Sequence, residues 1–140
     1  MKAKLLLLLG LCWLPSVVFS QTPTGQKVEF PNGKGTITLK GTFKDISKNG
    51  DRYVFKSPAK QQLKMQVTPS RAKNIYSSLE VFGFENGQEV MENEGMSDNQ
   101  AVPLCKEGNF VVQVSGASGV AYTLKLTLEP CQVKDGCGCY

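Results

Sequence analysis

The apolar side chains of this chain recur at every second position over much of its length. Four segments show this alternation: residues 35–44, 62–68, 109–114 and 121–128. In the last of them, Tyr122, Leu124 and Leu126 alternate with Thr123 and Lys125. Because successive side chains of a strand point to opposite faces of a sheet, the pattern predicts strands with one buried face. Tyr122 is in phase with the leucines, so we expect it in the core.

Three further strand candidates complete the predicted fold. Residues 52–57 and 76–84 are rich in Tyr, Phe and Val, and residues 88–92 follow the hairpin signal Asn86–Gly87. No segment has the 3.6-residue period of a helix. About seven or eight short strands, separated by turns over ~100 residues, predict an all-β protein. The expected architecture is an antiparallel β-sandwich of the jelly-roll or immunoglobulin-like type.

Residues 1–20 have the features of a secretory signal peptide. A basic start and an apolar run end in small residues, and cleavage is expected between Ser20 and Gln21. The run is too short for a good membrane-spanning helix, and no later stretch is apolar enough to form one. We therefore expect a periplasmic or secreted protein, with one sandwich domain over residues 21–130 and a Cys-rich tail over residues 131–140.

The mature chain lacks two residue types on which many active sites depend. The full sequence has no His, and its only Trp, Trp13, leaves with the signal. The mature chain therefore has neither residue type. This excludes Ser-His-Asp and Cys-His catalysis, His-ligated catalytic zinc and histidine pH sensing. A pair of carboxylates could still act as in a glycosidase, but the acids lie in a polar segment with no sign of burial to separate their pKa values. We therefore predict a protein without enzymatic activity, cofactor or metal.

Charge is distributed unevenly along the chain. The mature protein has a formal charge of only +2 once two lysines leave with the signal, which is too small to indicate nucleic-acid binding. Residues 27–73 carry eleven basic and three acidic side chains, whereas residues 74–105 carry six acidic and no basic ones. The acidic segment is either a solubilising region that faces the basic strands or a docking surface for a cationic partner. The acids of this docking surface are Glu85, Glu89, Glu92 and Glu94.

Four cysteines remain after cleavage of the signal: Cys105, Cys131, Cys137 and Cys139. An even number in a small exported domain indicates two disulfides, with three possible connectivities. Because Cys137 and Cys139 are too close in sequence for an easy bond to each other, we expect at least one bond from Cys105 into the tail. The alternative is a zinc site with four thiolates, which an oxidising compartment disfavours.

Residues 115–119, which are rich in Gly and Ser, join two predicted strands. No helix follows them, so they do not form a phosphate-binding loop. We expect a hairpin turn. Exposed loops at the end of a rigid sandwich are common binding sites.

Several segments resemble the periplasmic inhibitors of invertebrate-type and goose-type lysozymes. They are residues 28–34, 38–42, 52–55, 57–60, 63–67, 108–114 and 122–126. The resemblance therefore covers roughly residues 28–128. It implies a small exported β-sandwich that blocks lysozyme by inserting loops into its active-site cleft, where polar side chains meet the catalytic carboxylates.

Residues 51–55 and 108–124 also resemble the pre-peptidase C-terminal domain, a β-sandwich appended to secreted peptidases. Such domains usually lie beside a catalytic domain, whereas one exported domain is expected here. This context favours the inhibitor.

The chain departs from the goose-type and invertebrate-type inhibitors just before its last strand. Those proteins have a longer, basic loop where this chain has only residues 115–121. Residues 118–122 instead spell the Ser-Gly-x-x-Tyr motif of inhibitors of chicken-type lysozyme, although the second motif of that class, a Tyr followed by Thr-Lys-Gly, is missing. The residues predicted to bind the partner are Ser115, Ser118, Gly119 and Tyr122.

The sequence therefore predicts a soluble exported binding protein whose partner is a lysozyme of unspecified type. The alternative is an adhesion or carbohydrate-binding sandwich similar to a pre-peptidase domain. Association of two copies through an exposed strand edge stays open.

Overall fold

A computed structural model describes residues 23–44, 50–68, 77–95, 99–132 and 138–139, with the side chains of residues 94 and 95 excepted. The predicted signal peptide lies outside these residues. Within them, no helix is long and apolar enough to cross a membrane.

Nine strands in the described part of the chain form two stacked sheets, which confirms the predicted β-sandwich. They are β1 (Gln26–Lys27), β2 (Gly35–Thr42), β3 (Asp51–Ser57), β4 (Gln61–Thr68), β5 (Ser77–Glu85), β6 (Gln88–Gly95), β7 (Asn99–Leu104), β8 (Gly108–Gly116) and β9 (Ala121–Pro130). The five-stranded sheet has the order β1-β3-β8-β5-β6, and the four-stranded sheet has the order β2-β9-β4-β7. Neighbouring strands are antiparallel, except that β1 lies parallel to β3.

All seven segments predicted as strands are strands, and the Asn86–Gly87 turn is confirmed by the positive φ of both residues. The sequence did not predict β1 and β7. β1 is only two residues long, and β7 contains Pro103, which lacks the N–H that a strand donates. Pro103 is tolerated because β7 is an edge strand.

The core lies between the sheets and is built from the alternating positions. Leu124, Leu126 and Leu128 of β9 are fully buried, as the pattern predicts. Opposite them, Phe55 of β3 stacks on Phe110 of β8, with ring centroids 5.9 Å apart. The polar side chains that alternate with these apolar ones point outwards. Polar and charged groups therefore lie on the loops and on the outer faces of the two sheets.

The loops gather at two opposite ends of the sandwich. The turn end contains residues 42–44, the start of β3 and the β8–β9 turn, residues 117–120. The cystine end contains residues 58–60, residues 105–107 and the end of β9.

Candidate functional site

At the turn end, the β8–β9 turn is bonded to the chain that leaves β2. The Phe43 amide donates to the Val120 carbonyl at 2.8 Å, and the Gly119 amide donates to the Phe43 carbonyl at 3.0 Å. Ser118 and Gly119 are exposed at the tip. Gly119 has φ +86°, a conformation that favours glycine. The turn therefore has an exposed tip on a fixed base.

Beneath this turn, four side chains form a hydrogen-bonded cluster. The Tyr122 hydroxyl donates to Asp51 Oδ2 at 2.6 Å, and the hydroxyls of Tyr53 and Tyr122 are 2.7 Å apart. Asp51 Oδ1 also accepts from Lys44 Nζ at 2.6 Å. The Tyr122 ring stacks on Phe43 with centroids 4.7 Å apart. Because Phe43 supplies the backbone bonds to the turn, this cluster supports the base of the turn directly.

The cluster keeps its hydroxyl groups protonated. Burial raises the pKa of Tyr122 far above the usual tyrosine range, and its hydrogen bonds to Asp51 and Tyr53 add to the effect. Burial also raises the pKa of Tyr53, although the hydrogen bond with Tyr122 opposes it. The hydrogen bond from Lys44 to Asp51 and the charge of Asp51 raise the pKa of Lys44. Neither tyrosine therefore provides a nucleophile at neutral pH, and both act as hydrogen-bond donors.

Two glycines leave the space that this packing requires. A Cβ on Gly41 would lie 2.4 Å from the Tyr122 hydroxyl oxygen. A Cβ on Gly50 would lie 2.3 Å from the Val114 carbonyl oxygen, and Gly50 has φ +51°. Real Cβ atoms do not approach other atoms so closely, so both positions require glycine. The sequence itself marks Gly41 as unusual, because this glycine occupies a position where the alternation of residues 35–44 would otherwise place an apolar side chain.

A cleft of about 450 Å³ opens beside the cluster. It is lined by residues 24–26, 40–41, 44 and 50–53. Its walls carry the cations Lys40, Lys44 and Arg52 and one acid, Asp51, so its lining is predominantly basic. Among the described residues, no group of three or more His, Cys, Asp or Glu side chains is arranged to hold a metal ion.

The structure brings the four predicted partner-binding residues to the turn end but gives them different environments. Ser118 and Gly119 are exposed. Ser115 is fully buried on β8, and its hydroxyl has no hydrogen-bond partner in the described part of the chain. Tyr122 is 3% exposed, as its phase with the leucines predicted. The sequence analysis did not identify Asp51, Tyr53 and Lys44 as members of this site. They are distant in sequence from Tyr122, and only the packing of one sheet on the other brings β3 against β9.

The acidic segment lies mainly on the β5–β6 hairpin, and two of its acids have basic partners in the same chain. Glu85 accepts from Lys106 Nζ at 2.7 Å, which lowers the pKa of the Glu85 carboxyl. Glu89 pairs with Arg52. Glu92 is exposed. The hydrogen bond with Glu85 and the charge of Glu85 raise the pKa of Lys106, and the charge of Glu92 adds least. The Glu94 side chain lies outside the described residues. Of the two pairs, the one between Glu89 and Arg52 joins the acidic segment to the basic residues 27–73.

Arg52 is held from several directions on the outer face of the five-stranded sheet. Its guanidinium donates to the Thr24 carbonyl at 3.1 Å and to Gln113 Oε1 at 2.9 Å, besides its pair with Glu89. It also lies over the Phe82 ring, 5.5 Å from the centroid. Arg52 therefore ties the N-terminal segment to the sheet.

At the cystine end, a disulfide joins Cys105 to Cys139, the expected bond from Cys105 into the tail. Cys131 is also disulfide-bonded, and Cys137 lies outside the described residues. The Lys60 carbonyl accepts from the Cys131 amide at 3.0 Å, while the Lys60 amide donates to the Cys105 carbonyl at 3.4 Å. The alternative of a four-thiolate zinc site is wrong, because sulfurs in disulfides are not thiolates.

No known protein family and no curated protein matches the sequence. Among solved structures, PliG from Aeromonas hydrophila, a periplasmic lysozyme inhibitor of g-type lysozyme, superposes with a TM-score of 0.54 at 20% identity, over 76% of this chain and 96% of that one. PliG from Salmonella Typhimurium, also an inhibitor of g-type lysozyme, gives a TM-score of 0.52 at 16% identity, over 76% and 100%. The pre-peptidase C-terminal domain of collagenase from Bacillus anthracis gives 0.47 at 12% identity, over 78% and 98%. The similarity to the two inhibitors establishes a shared fold.

Proposed function

We propose that this protein is an extracytoplasmic inhibitor that binds a lysozyme and inserts its Ser118–Gly119 turn into the active-site cleft of the enzyme. The observation that carries the proposal is the exposed turn on a base fixed by Phe43 and Tyr122. The fold shared with two lysozyme inhibitors supports it. The Cys105–Cys139 disulfide supports an oxidising compartment, such as the periplasm.

The geometry suits inhibition by insertion because the turn is ordered before it binds. A loop that is already held in its bound conformation loses little conformational entropy on association. The Ser118 hydroxyl at the tip is a hydrogen-bond donor that fits a catalytic carboxylate of the enzyme. Lys44 lies at the same end, with its side chain 57% exposed, but its charge is already paired with Asp51 and has a smaller role.

The buried predicted residues have a supporting role in this proposal. Tyr122 fixes the position of the turn through Phe43 and Asp51, and it does not itself touch the partner. Ser115 lies at the buried end of β8 and packs beneath the same turn. The partner is therefore contacted by Ser118 and Gly119.

The acidic segment has a smaller role, since Glu85 and Glu89 already pair with basic residues. Exposed charges at the rim of an interface change mainly the association rate and its salt dependence. We propose that Glu92 steers a cationic partner towards the protein without contributing much affinity.

The test is an activity assay of chicken-, goose- and invertebrate-type lysozymes with micromolar mature protein. We expect inhibition of at least one type. Ser118→Ala is expected to weaken inhibition by about 10- to 100-fold, since a hydrogen bond to a charged group contributes about 1.5–3 kcal/mol. Lys60→Ala, at the opposite end of the sandwich, serves as the control and should inhibit like the wild type.

Two results would contradict the proposal in different ways. Failure to inhibit any of the three lysozyme types would exclude lysozyme inhibition altogether. Inhibition that is weakened more by Lys60→Ala than by Ser118→Ala would keep the activity and move the binding site to the cystine end.

A further inference from the structure

The outer face of the four-stranded sheet carries an exposed polar surface that the proposed inhibition does not use. Its outward residues include Thr36, Thr38 and Lys40 of β2, Lys125 of β9, and Lys64 and Gln66 of β4. All six are exposed. Most outward side chains of this face are thus hydroxyl, amide or ammonium groups.

Strand register arranges three lysines in a diagonal line across this face. Thr38 of β2 lies opposite Lys125, so Lys40 is one row away from Lys125 on the neighbouring strand. Lys64 of β4 lies opposite Thr127, one row away from Lys125 on the other side. Diagonal neighbours of this kind are ~7–8 Å apart. The three lysine positions on the strands therefore recur at regular intervals along one line.

Two depressions lie along the same line. A groove of about 190 Å³ lies at Lys64, Gln66, Asn99, Lys125 and Thr127. At the other end of the line, Lys40 lines the cleft of about 450 Å³ at the turn end. A linear chain that followed the lysines would thus pass from the groove to the cleft.

The charge on this face favours an anionic occupant. Neither Lys40 nor Lys125 has a salt-bridge partner within the described residues, while Lys64 pairs with Glu129. Lys64 and, on the outer face of the other sheet, Arg52 thus each have an acidic partner. The positive charge available for a ligand along the lysine line therefore comes mainly from Lys40 and Lys125.

We propose that this face binds a linear anionic polysaccharide along the line Lys64–Lys125–Lys40. Lysines at regularly spaced strand positions match charges that repeat along a polymer, and the threonine and glutamine side chains match sugar hydroxyls. The outward positions of β2, β9, β4 and β7 in the described residues carry no aromatic side chain, which disfavours stacking of nucleic-acid bases. They also carry no large apolar side chain that could enter a membrane. This inference goes beyond lysozyme inhibition and does not depend on it.

The test measures binding of the mature protein to heparin, a sulfated chain, to polygalacturonate, a carboxylated chain, and to neutral dextran, by isothermal titration calorimetry. We expect binding to at least one anionic chain, weakened by salt, and none to dextran. The variant K40Q/K64Q/K125Q should lose at least tenfold in affinity. The control K27Q/K56Q/K60Q removes the same charge from other surfaces and should lose less than threefold. Circular dichroism and Tm establish that both variants fold.

The possible outcomes distinguish specific binding at this face from general electrostatic attraction to the protein. Equal losses in the two triple variants would overturn the proposal, because net charge alone would then explain binding. No binding to either anionic chain, equal binding to dextran, or binding to anionic phosphatidylglycerol vesicles but to neither polysaccharide would also overturn it. Binding to one anionic chain only, with loss confined to K40Q/K64Q/K125Q, would support it and identify the preferred anionic group.

Discussion

The two ends of the sandwich are held together by different means. At the turn end, Tyr122, Tyr53 and Asp51 form a largely buried hydrogen-bonded cluster over Phe43, and the described residues of this end contain no disulfide. At the cystine end, a disulfide and exposed ion pairs hold the surface. The exposed turn with the proposed function lies over the noncovalent end.

The covalent end does not have to be the more stabilising one. The Cys105–Cys139 bond spans 34 residues in sequence. Because the bond constrains the unfolded chain, in which the hydrogen bonds of Lys60 are absent, the loop that matters is the whole separation of 34 residues. Loop-closure entropy for a loop of this length gives the bond about 4 kcal/mol, which is comparable to the contribution of one large buried side chain. Deleting a buried aromatic side chain costs about 3–5 kcal/mol.

The largest effect is expected for Tyr122→Ala. This change removes the ring that stacks on Phe43 and both hydrogen bonds of the Tyr122 hydroxyl, and it leaves a cavity beneath the turn. The free energy of unfolding in urea should fall by about 3–5 kcal/mol. Val90→Ala, at a side chain that is 38% exposed, is the control and should change it by less than about 1 kcal/mol. Equal losses of unfolding free energy in the two variants would contradict the view that the Tyr122 cluster stabilises the turn end.

Tyr122→Phe should have a smaller effect than Tyr122→Ala. The ring remains, but Asp51 and Tyr53 each lose a partner in a buried setting, which costs about 1–3 kcal/mol at neutral pH. Because the folded-state pKa of Tyr122 is raised, its contribution is complete below the ordinary value of 10.0 and is lost as the pH rises above it. Urea unfolding from pH 8 to 11 should therefore show the difference between the wild type and Tyr122→Phe narrowing above pH 10.0. A difference that stays constant would contradict this account.

The double variant Cys105→Ser/Cys139→Ser should lose about 4 kcal/mol, as loop-closure entropy gives for a separation of 34 residues. Urea unfolding measures the loss, and the proposed lysozyme inhibition should persist while the variant is folded, because the turn end is unchanged. A loss below about 1 kcal/mol would show that the bond constrains the unfolded chain little, and the noncovalent turn end would then be clearly the more stabilising one.

The smallest effect is expected for Glu85→Gln at the cystine end. Hydrogen bonding from Lys106 lowers the pKa of the Glu85 carboxyl, so its contribution is present above the ordinary value of 4.5 and is lost as the pH falls through the folded-state value. The wild type and Glu85→Gln should therefore converge in thermal stability at low pH. Glu107→Gln is the control, because the Lys56–Glu107 pair is longer, at 3.8 Å. A larger change in thermal stability for Glu107→Gln than for Glu85→Gln would contradict the assignment of the stronger ion pair to Glu85 and Lys106.

Much of the fold could be predicted because the buried face of each strand is encoded locally. The period of two identified four strands, and composition together with the Asn86–Gly87 turn signal identified three more. The burial of Tyr122, Leu124 and Leu126 follows from their phase. β7 was missed because Pro103 suggests a break, and only its position at the sheet edge makes that residue acceptable. The candidate site was predicted only in part, since Ser118 and Gly119 belong to one local turn while Asp51 and Tyr53 come from a distant strand.

The sequence by itself determined the sandwich, the turn at Asn86–Gly87 and a disulfide from Cys105 into the tail, because each depends on neighbouring residues or on cysteine number. Only the tertiary structure decided which side chains meet. It brought β3 beneath the β8–β9 turn, paired Glu89 with Arg52 and set Lys40, Lys125 and Lys64 in one line. The reason is that strand order and register are set by long-range pairing, and alternation along one strand does not specify its neighbour.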